Sequence, residues 1–416
     1  MDKMLETFIE LNRSALQGEI SPKLLSNSEA VDWEQIYQLS TKRGTVLLCS
    51  NMVAKLAELG KVPEDVAQEW GQYCSERFAY ELARWGSIRE LLEKASESNV
   101  QLIMFKGYVL AQLYPGFGVR NSSDIDFLVR EEEIERVKAL LADEYELVEE
   151  HSKEKVFTYR NKTYGHYLEI HMKLWEDYTG KKIEILEQCG LDSPDTIRVC
   201  TLYGGQQVLT LGITEQLIYQ IFHIVKHFCV EGIGIRYLID VSLYCNHYFE
   251  QVDWEQFWKA CDRLQYTEFC RQIFSLGIRY FGMNRDVLGK AHPYLERIDG
   301  EEEFLNDLML GGFVSEGQKG NYQILGIMTP YLTGELDPAA SKQGRLLQTL
   351  FPSADCIRED FAYAKRHRFL LPVAWVHRFI DYTIYRIRHP KESYGVGEKL
   401  SSAEYRIEQL KKRGLV

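Results

Sequence analysis

The chain has 416 residues, of which 45% are hydrophobic, and a formal net charge of −12. The length suits two or three domains, the composition is ordinary for a globular protein with a sizeable core, and the charge excludes nucleic-acid binding by the chain as a whole, though not by a local basic patch. No run approaches 18 uninterrupted apolar residues and none follows Met1-Asp2-Lys3-Met4-Leu5-Glu6, so neither a membrane span nor a secretory signal is expected.

Residues 1–98 read as an N-terminal helical region. Trp33, Ile36 and Tyr37 begin one apolar stripe. Phe78, Leu82, Trp85, Ile88 and Leu91-Leu92 make another at three- and four-residue steps, with Glu81, Arg84, Arg89 and Glu90 between them. Residues 99–212 read as a core with a mixed β-sheet. Val100 to Phe105 suits a buried strand, ended by Lys106-Gly107, and a short helix from about Tyr108 to Leu113 stops at Tyr114-Pro115-Gly116. A strand from Asp124 to Val129 follows, then a helix opened by Glu131-Glu132-Glu133, where acids favour the positive end of the helix dipole. Tyr145–Val148, Lys155–Tyr159 and Tyr167–His171 read as further strands, and Thr196–Val199 as a strand-like piece. Residues 213–416 read as a C-terminal helical domain, with Leu217, Ile218, Ile221, Phe222 and Val225 in one stripe and Leu238, Val241, Leu243 and Tyr244 in part of another. Breaks are expected near Gly317–Gly320, Pro352 and Pro390. Strands followed and flanked by helices define an α+β fold. Nine scattered cysteines, odd in number and without a CxxC pair, suit a reducing compartment, so a cytoplasmic location is expected.

The most informative stretch is Ser123-Asp124-Ile125-Asp126-Phe127-Leu128-Val129. Alternation along a strand puts Asp124 and Asp126 on one face and Ile125, Phe127 and Val129 on the other. Two neighbouring carboxylates on a half-buried strand repel and lose hydration, and a divalent cation is the usual compensation. Magnesium prefers one or two carboxylates plus substrate phosphates. A bare DxD is common on solvated surfaces, but Glu169 offers a third acid, on the same face as Tyr167 and His171. If the two strands are neighbours, three carboxylates converge, as phosphoryl chemistry on metal ions requires. Lys106 beside Gly107, and Arg120 ahead of Asn121-Ser122-Ser123, supply candidate phosphate contacts, since a guanidinium holds phosphate oxygens in a bidentate fork.

Phe105-Lys106-Gly107, Leu110, Tyr114-Pro115 and Arg120 through Val129 resemble the uncharacterised nucleotidyltransferase family of the DNA polymerase β-like superfamily. Leu168-Glu169-Ile170-His171 resembles its acid-x-His strand, and His223–His227 with Ile235–Asp240 resemble its helical segment. The resemblance implies a nucleotidyltransferase-type mixed sheet and Mg²⁺-dependent transfer (Mn²⁺ as the substitute) of a nucleoside monophosphate from an NTP, ATP by default, to an acceptor hydroxyl, with pyrophosphate release. Asp124, Asp126 and Glu169 would be the catalytic and metal-binding acids. Two metals about 3.5–4 Å apart would stabilise the attacking and leaving oxygens. Lys106, Gly107, Arg120, Ser122 and Ser123 would hold nucleotide and phosphate, and His171, His227 and Arg236 would be accessory. The superfamily's Gly-Ser pair is absent, because Tyr108 follows Gly107, and Ser122, Ser123 and Lys106 are the candidates for that serine's contact.

Other readings remain open at this point. A metal-dependent glycosyltransferase using a nucleotide-sugar also carries a DxD, and predicts no third acid and a Rossmann-like N-terminal half. A catalytically inactive nucleotide-binding module would keep the fold alone. His223 and His227, four apart on a helix, make half a zinc site without an obvious third ligand. Arg236 and Asp240 are spaced for an intrahelical ion pair. Lys365-Arg366-His367-Arg368, Arg378, Arg386 and Arg388, with Phe369, Leu370-Leu371, Val373, Trp375 and Val376, can lie on an anionic membrane or pack inward. The acceptor is expected to be a small hydroxylated molecule or a protein side chain, with nucleic acid and a membrane surface disfavoured.

Overall fold

The computed structural model describes residues 2–122, 124–151, 155–175, 182–230, 233–310, 351, 354, 361–388 and 405–415. The N-terminal region forms helices α1 (Lys3–Gln17), α2 (Pro22–Asn27), α3 (Trp33–Lys42), α4 (Val46–Glu58) and α5 (Glu64–Glu97). Local chemistry marks their starts. Ser21 accepts the Leu24 N–H ahead of Pro22, and Asp32 accepts the N–H groups of Glu34 and Gln35.

At 34 residues, α5 is about 50 Å long and serves two cores. Val66 and Trp70 are buried among the N-terminal helices, whereas Trp85, Ile88, Leu91 and Leu92 are buried beneath the sheet. Between the two, the expected stripe inverts. Phe78 and Leu82 are 45% and 56% exposed, while Glu81 and Arg84 are buried. The inversion has a cause in the site described below, which needs the Arg84 guanidinium on its inner side.

Seven strands form one sheet: β1 (Ile103–Phe105), β2 (Asp124–Leu128), β3 (Tyr145–His151), β4 (Val156–Asn161), β5 (Tyr167–His171), β6 (Arg198–Thr201) and β7 (Gln207–Thr210). Their order is β3-β4-β5-β2-β1-β7-β6. The pairs β2/β5 and β1/β7 are parallel and the rest antiparallel, which gives the expected mixed sheet. The strand-like piece near 196–199 is shifted to β6 and pairs with β7, a strand that the sequence reading did not assign. Helices α6 (Gly107–Ala111), α7 (Ile134–Leu141) and α8 (Lys182–Gln188) are interleaved with the strands.

Alternation divides the sheet cleanly. Met104, Ile125, Phe127, Leu168 and Ile170 pack on the end of α5 and on Val137 and Leu141 of α7. Ile103, Phe105 and Leu128 face the other way, into a larger apolar cluster. That cluster joins α1–α5 to the helices that follow the sheet: α9 (Ile213–Val230), α10 (Ile235–His247), α11 (Trp254–Leu264), α12 (Thr267–Phe281) and α13 (Glu301–Leu310). Phe304 of α13 lies against Phe228 and Phe269, with ring centroids 5.6 and 6.2 Å apart. A last helix over 405–412 adds Ile407 and Leu410, and Arg406 forms a buried two-pronged ion pair with Asp307.

Two more helices are α14 (Ala362–Arg366) and α15 (Leu371–Arg388). On α15, Ala374 is buried with Leu371 and Trp375 packed beside it, while Val373, Val376, Phe379 and Ile380 are exposed. The breaks expected at 317–320, Pro352 and Pro390 lie outside the described residues. Among the described residues no helix is long and apolar enough to cross a membrane.

Phe127 is fully buried at the centre of the sheet's α5 side. Phe127→Ala should lower unfolding free energy by about 3–5 kcal/mol, read from urea denaturation. A loss below about 1 kcal/mol would mean that this layer does not support the site strand.

Candidate active site

The site is set by strand register. In the parallel β2/β5 pair Asp124 lies opposite Tyr167, Asp126 opposite Glu169, and Leu128 opposite His171. Partnered residues point to the same face, so the two acidic stretches look into the same cleft. One ligand atom each from Asp126, Glu169 and His171 lie within 4.8 Å of one another. This trio differs from the expected one. His171 stands in it, while Asp124 lines the cleft beside it.

Asp126 is 2% exposed, and its Oδ1 is shared. Lys106 Nζ donates to it at 2.8 Å and His171 Nε2 lies 3.1 Å away. Nε2 is also 3.2 Å from Glu169 Oε2. Burial alone would push the Asp126 carboxyl up, but the Lys106 and His171 charges and hydrogen bonds hold it well below the usual carboxylate range. Burial also opposes charge on Lys106 and on His171. Asp126 prevails in both, aided by Asp124 and Tyr219 at Lys106 and by Glu169 at His171, so both groups hold their protons more tightly than usual. Lys106 reaches this position from a φ of +58°, where a residue with a side chain is strained. The need for an unusual backbone thus falls on Lys106 rather than on Gly107.

Two carboxylates and an imidazole converging from one sheet face are a donor set that fits a divalent cation, and among the described residues this is the group so placed. His223 and His227 are not part of it. Their rings are 4.3 Å apart and lie against Tyr237 in the opposite wall. Burial, then the nearby Lys106 charge, pushes His223 well below its ordinary value, so it stands neutral.

The chain leading into β2 is held by three guanidinium groups from two helices. Arg84 of α5 donates to the carbonyls of Ser122 (2.6 Å) and Asp124 (2.8 Å). Arg77 donates to Asn121 Oδ1 at 2.7 Å, and Arg236 of α10 to the Asn121 carbonyl. Arg120, expected at a phosphate, is engaged inside the protein. Its Nε and Nη2 each lie 2.8 Å from a carboxylate oxygen of Asp240, and Nη1 donates to Ser122 Oγ at 2.5 Å and to the Gly107 carbonyl at 3.2 Å. Asp240 also accepts from Tyr114 at 2.8 Å. The spacing that suggested an Arg236–Asp240 pair therefore yields two separate contacts instead. Ser123 lies outside the described residues.

The cleft has a volume of about 430 Å³. Among the wall residues that sequence reasoning missed are Trp175 and Gln220. The Trp175 Nε1 and both amide atoms of Gln220 are buried without a hydrogen-bond partner in the protein. No local pattern marks either residue, since each becomes a wall residue only once α9 packs over the sheet.

Asp240→Ala should cost about 3–5 kcal/mol of stability, because it strands the buried Arg120 charge. Adding Arg120→Met should recover a large part of it. Equal urea midpoints for the single and double variants would show that the pair does not carry the load assigned to it.

No curated protein and no solved structure matches the chain. A family model described as an uncharacterised nucleotidyltransferase matches residues 29–282, more than half of the chain. Together with the helical first hundred residues and the convergent Glu169, this match leaves the glycosyltransferase alternative without support. The chain therefore belongs to that nucleotidyltransferase family and is an enzyme that transfers phosphorus-containing groups.

Proposed function

We propose that the protein transfers a nucleoside monophosphate from an NTP, ATP by default, to a hydroxyl of a small molecule or a protein side chain, with release of pyrophosphate. The observation that carries this reading is the in-register pairing of Asp126 with Glu169, with His171 beside them, in one cleft wall. Asp126 and Glu169, with Asp124 at the margin, would hold Mg²⁺ or Mn²⁺, and His171 would keep the two carboxylates in place. Such an ion neutralises phosphate charge and acidifies a bound hydroxyl.

The protein's own groups divide the remaining work. The Glu169 side chain is 30% exposed, so a substrate hydroxyl can reach it. It takes the proton as the hydroxyl oxygen bonds to the α-phosphorus and the bond to pyrophosphate breaks. His171, 3.2 Å from Glu169, orients that carboxylate. Lys106 keeps Asp126 ionised and presents positive charge at the cleft, where negative charge gathers on the phosphates. Leu174 and Phe222 give part of the cleft wall an apolar surface.

Pyrophosphate release from each of the four common NTPs, with a cell extract as acceptor source and labelled nucleotide to trace the product, tests this directly. Glu169→Gln should lower kcat by at least about 100-fold with an unchanged urea midpoint, and full activity in that variant would remove the base assignment. Chelation should abolish turnover, and added Mg²⁺ or Mn²⁺ should restore it. Undiminished release in excess chelator would refute the metal requirement.

A further inference from the structure

We propose that a second cleft, adjoining the first, binds a phosphate group carried by the acceptor, so that the acceptor is a phosphorylated molecule with a planar ring. The proposal rests on nucleotidyl transfer in the first cleft. The second cleft has a volume of about 540 Å³ and shares Arg236 and Tyr237 with the first. That size suits a small organic ligand rather than a lone ion.

Charge separates the two clefts. The first is lined by Asp124, Asp126, Glu169 and Asp240 as well as cations. The second is lined by Lys42, Arg43, Arg77 and Arg236, and no Asp or Glu is among its described lining residues. This concentration of positive charge occurs in a chain of net charge −12. Glu81 approaches Arg77 from the protein side at 2.9 Å, but it also serves Arg84 at 3.4 Å, so one carboxylate faces two guanidiniums. Such forks match phosphate oxygens.

Position ties the second cleft to the reaction. Tyr167, 41% exposed, stands two residues before Glu169 on β5 and on the same face. A ring stacked on it lies beside the acids. Arg236 is pressed against Gly44, where an added Cβ would sit 3.0 Å from Nη1, so the turn between α3 and α4 shapes this corner. A metal-bound triphosphate fits the acid-bearing cleft, and a second anion that needs no metal fits the cleft whose described lining carries only cations.

AMP without metal is the probe, with adenosine and inorganic phosphate as separate arms, read by calorimetry on the full chain. AMP should bind, phosphate should compete, and adenosine should bind at least tenfold more weakly. Lys42→Glu, at an exposed position, should weaken AMP at least tenfold, Tyr167→Ala should weaken it severalfold, and Glu169→Gln should leave it unchanged. A Mg²⁺-loaded, non-hydrolysable ATP analogue should show the reverse pattern, weakened by Glu169→Gln and not by Lys42→Glu. Absent AMP binding, or AMP binding indifferent to Lys42→Glu, would overturn the second site. Loss of the analogue alone would count against the first-cleft reading while leaving the AMP result to stand.

Discussion

Asp126 keeps a negative charge where water reaches almost none of it, and most of the site follows from how that charge is offset. An isolated buried carboxylate would take up a proton. Here Lys106 and His171 converge on one oxygen of it. That arrangement demands that β1 end where it does, that Lys106 accept a costly backbone conformation, and that β5 lie beside β2 in one register. A slip of one residue would turn Glu169 and His171 into the apolar layer beneath. Leu168 and Ile170, buried in that layer, fix the same register from below. Apolar alternation and charge pairing therefore select the same alignment.

The loop before β2 obeys a second constraint. A chain segment entering a buried acidic strand has carbonyls to satisfy, and here guanidiniums satisfy them from α5 on one side and α10 on the other. Because their partners are largely backbone atoms, the arginines hold the position of the strand more than the chemistry of its side chains. The helical regions before and after the sheet thus act on the site through this loop.

Much of this was legible in the sequence. Alternation in Asp124–Val129 and Tyr167–His171 was enough to assign the faces, and three- and four-residue spacing located α9 and the end of α5. What could not be read depended on distant partners. Arg120 looks like a phosphate ligand because nothing nearby in the chain neutralises it, whereas Asp240 does so in space. Glu81 and Arg84 look like solvent-facing charges on an amphipathic helix, and they turn inward where Arg84 meets the carbonyls of Ser122 and Asp124. The strand β7 was hidden because its short alternating run gains its meaning from pairing with β1 and β6.

The family match stops at residue 282, yet the main core does not. Phe304 covers Phe228 and Phe269, and Arg406, clamped to Asp307, has its guanidinium 5.2 Å from the centre of the Phe228 ring. A fragment trimmed at the recognised boundary would leave the underside of α9 open to water, and α9 is the helix that lines the candidate cleft. The evolutionary unit and the physical unit therefore have different edges, and Phe304, Asp307 and Arg406, beyond the shared segment, belong to the scaffold.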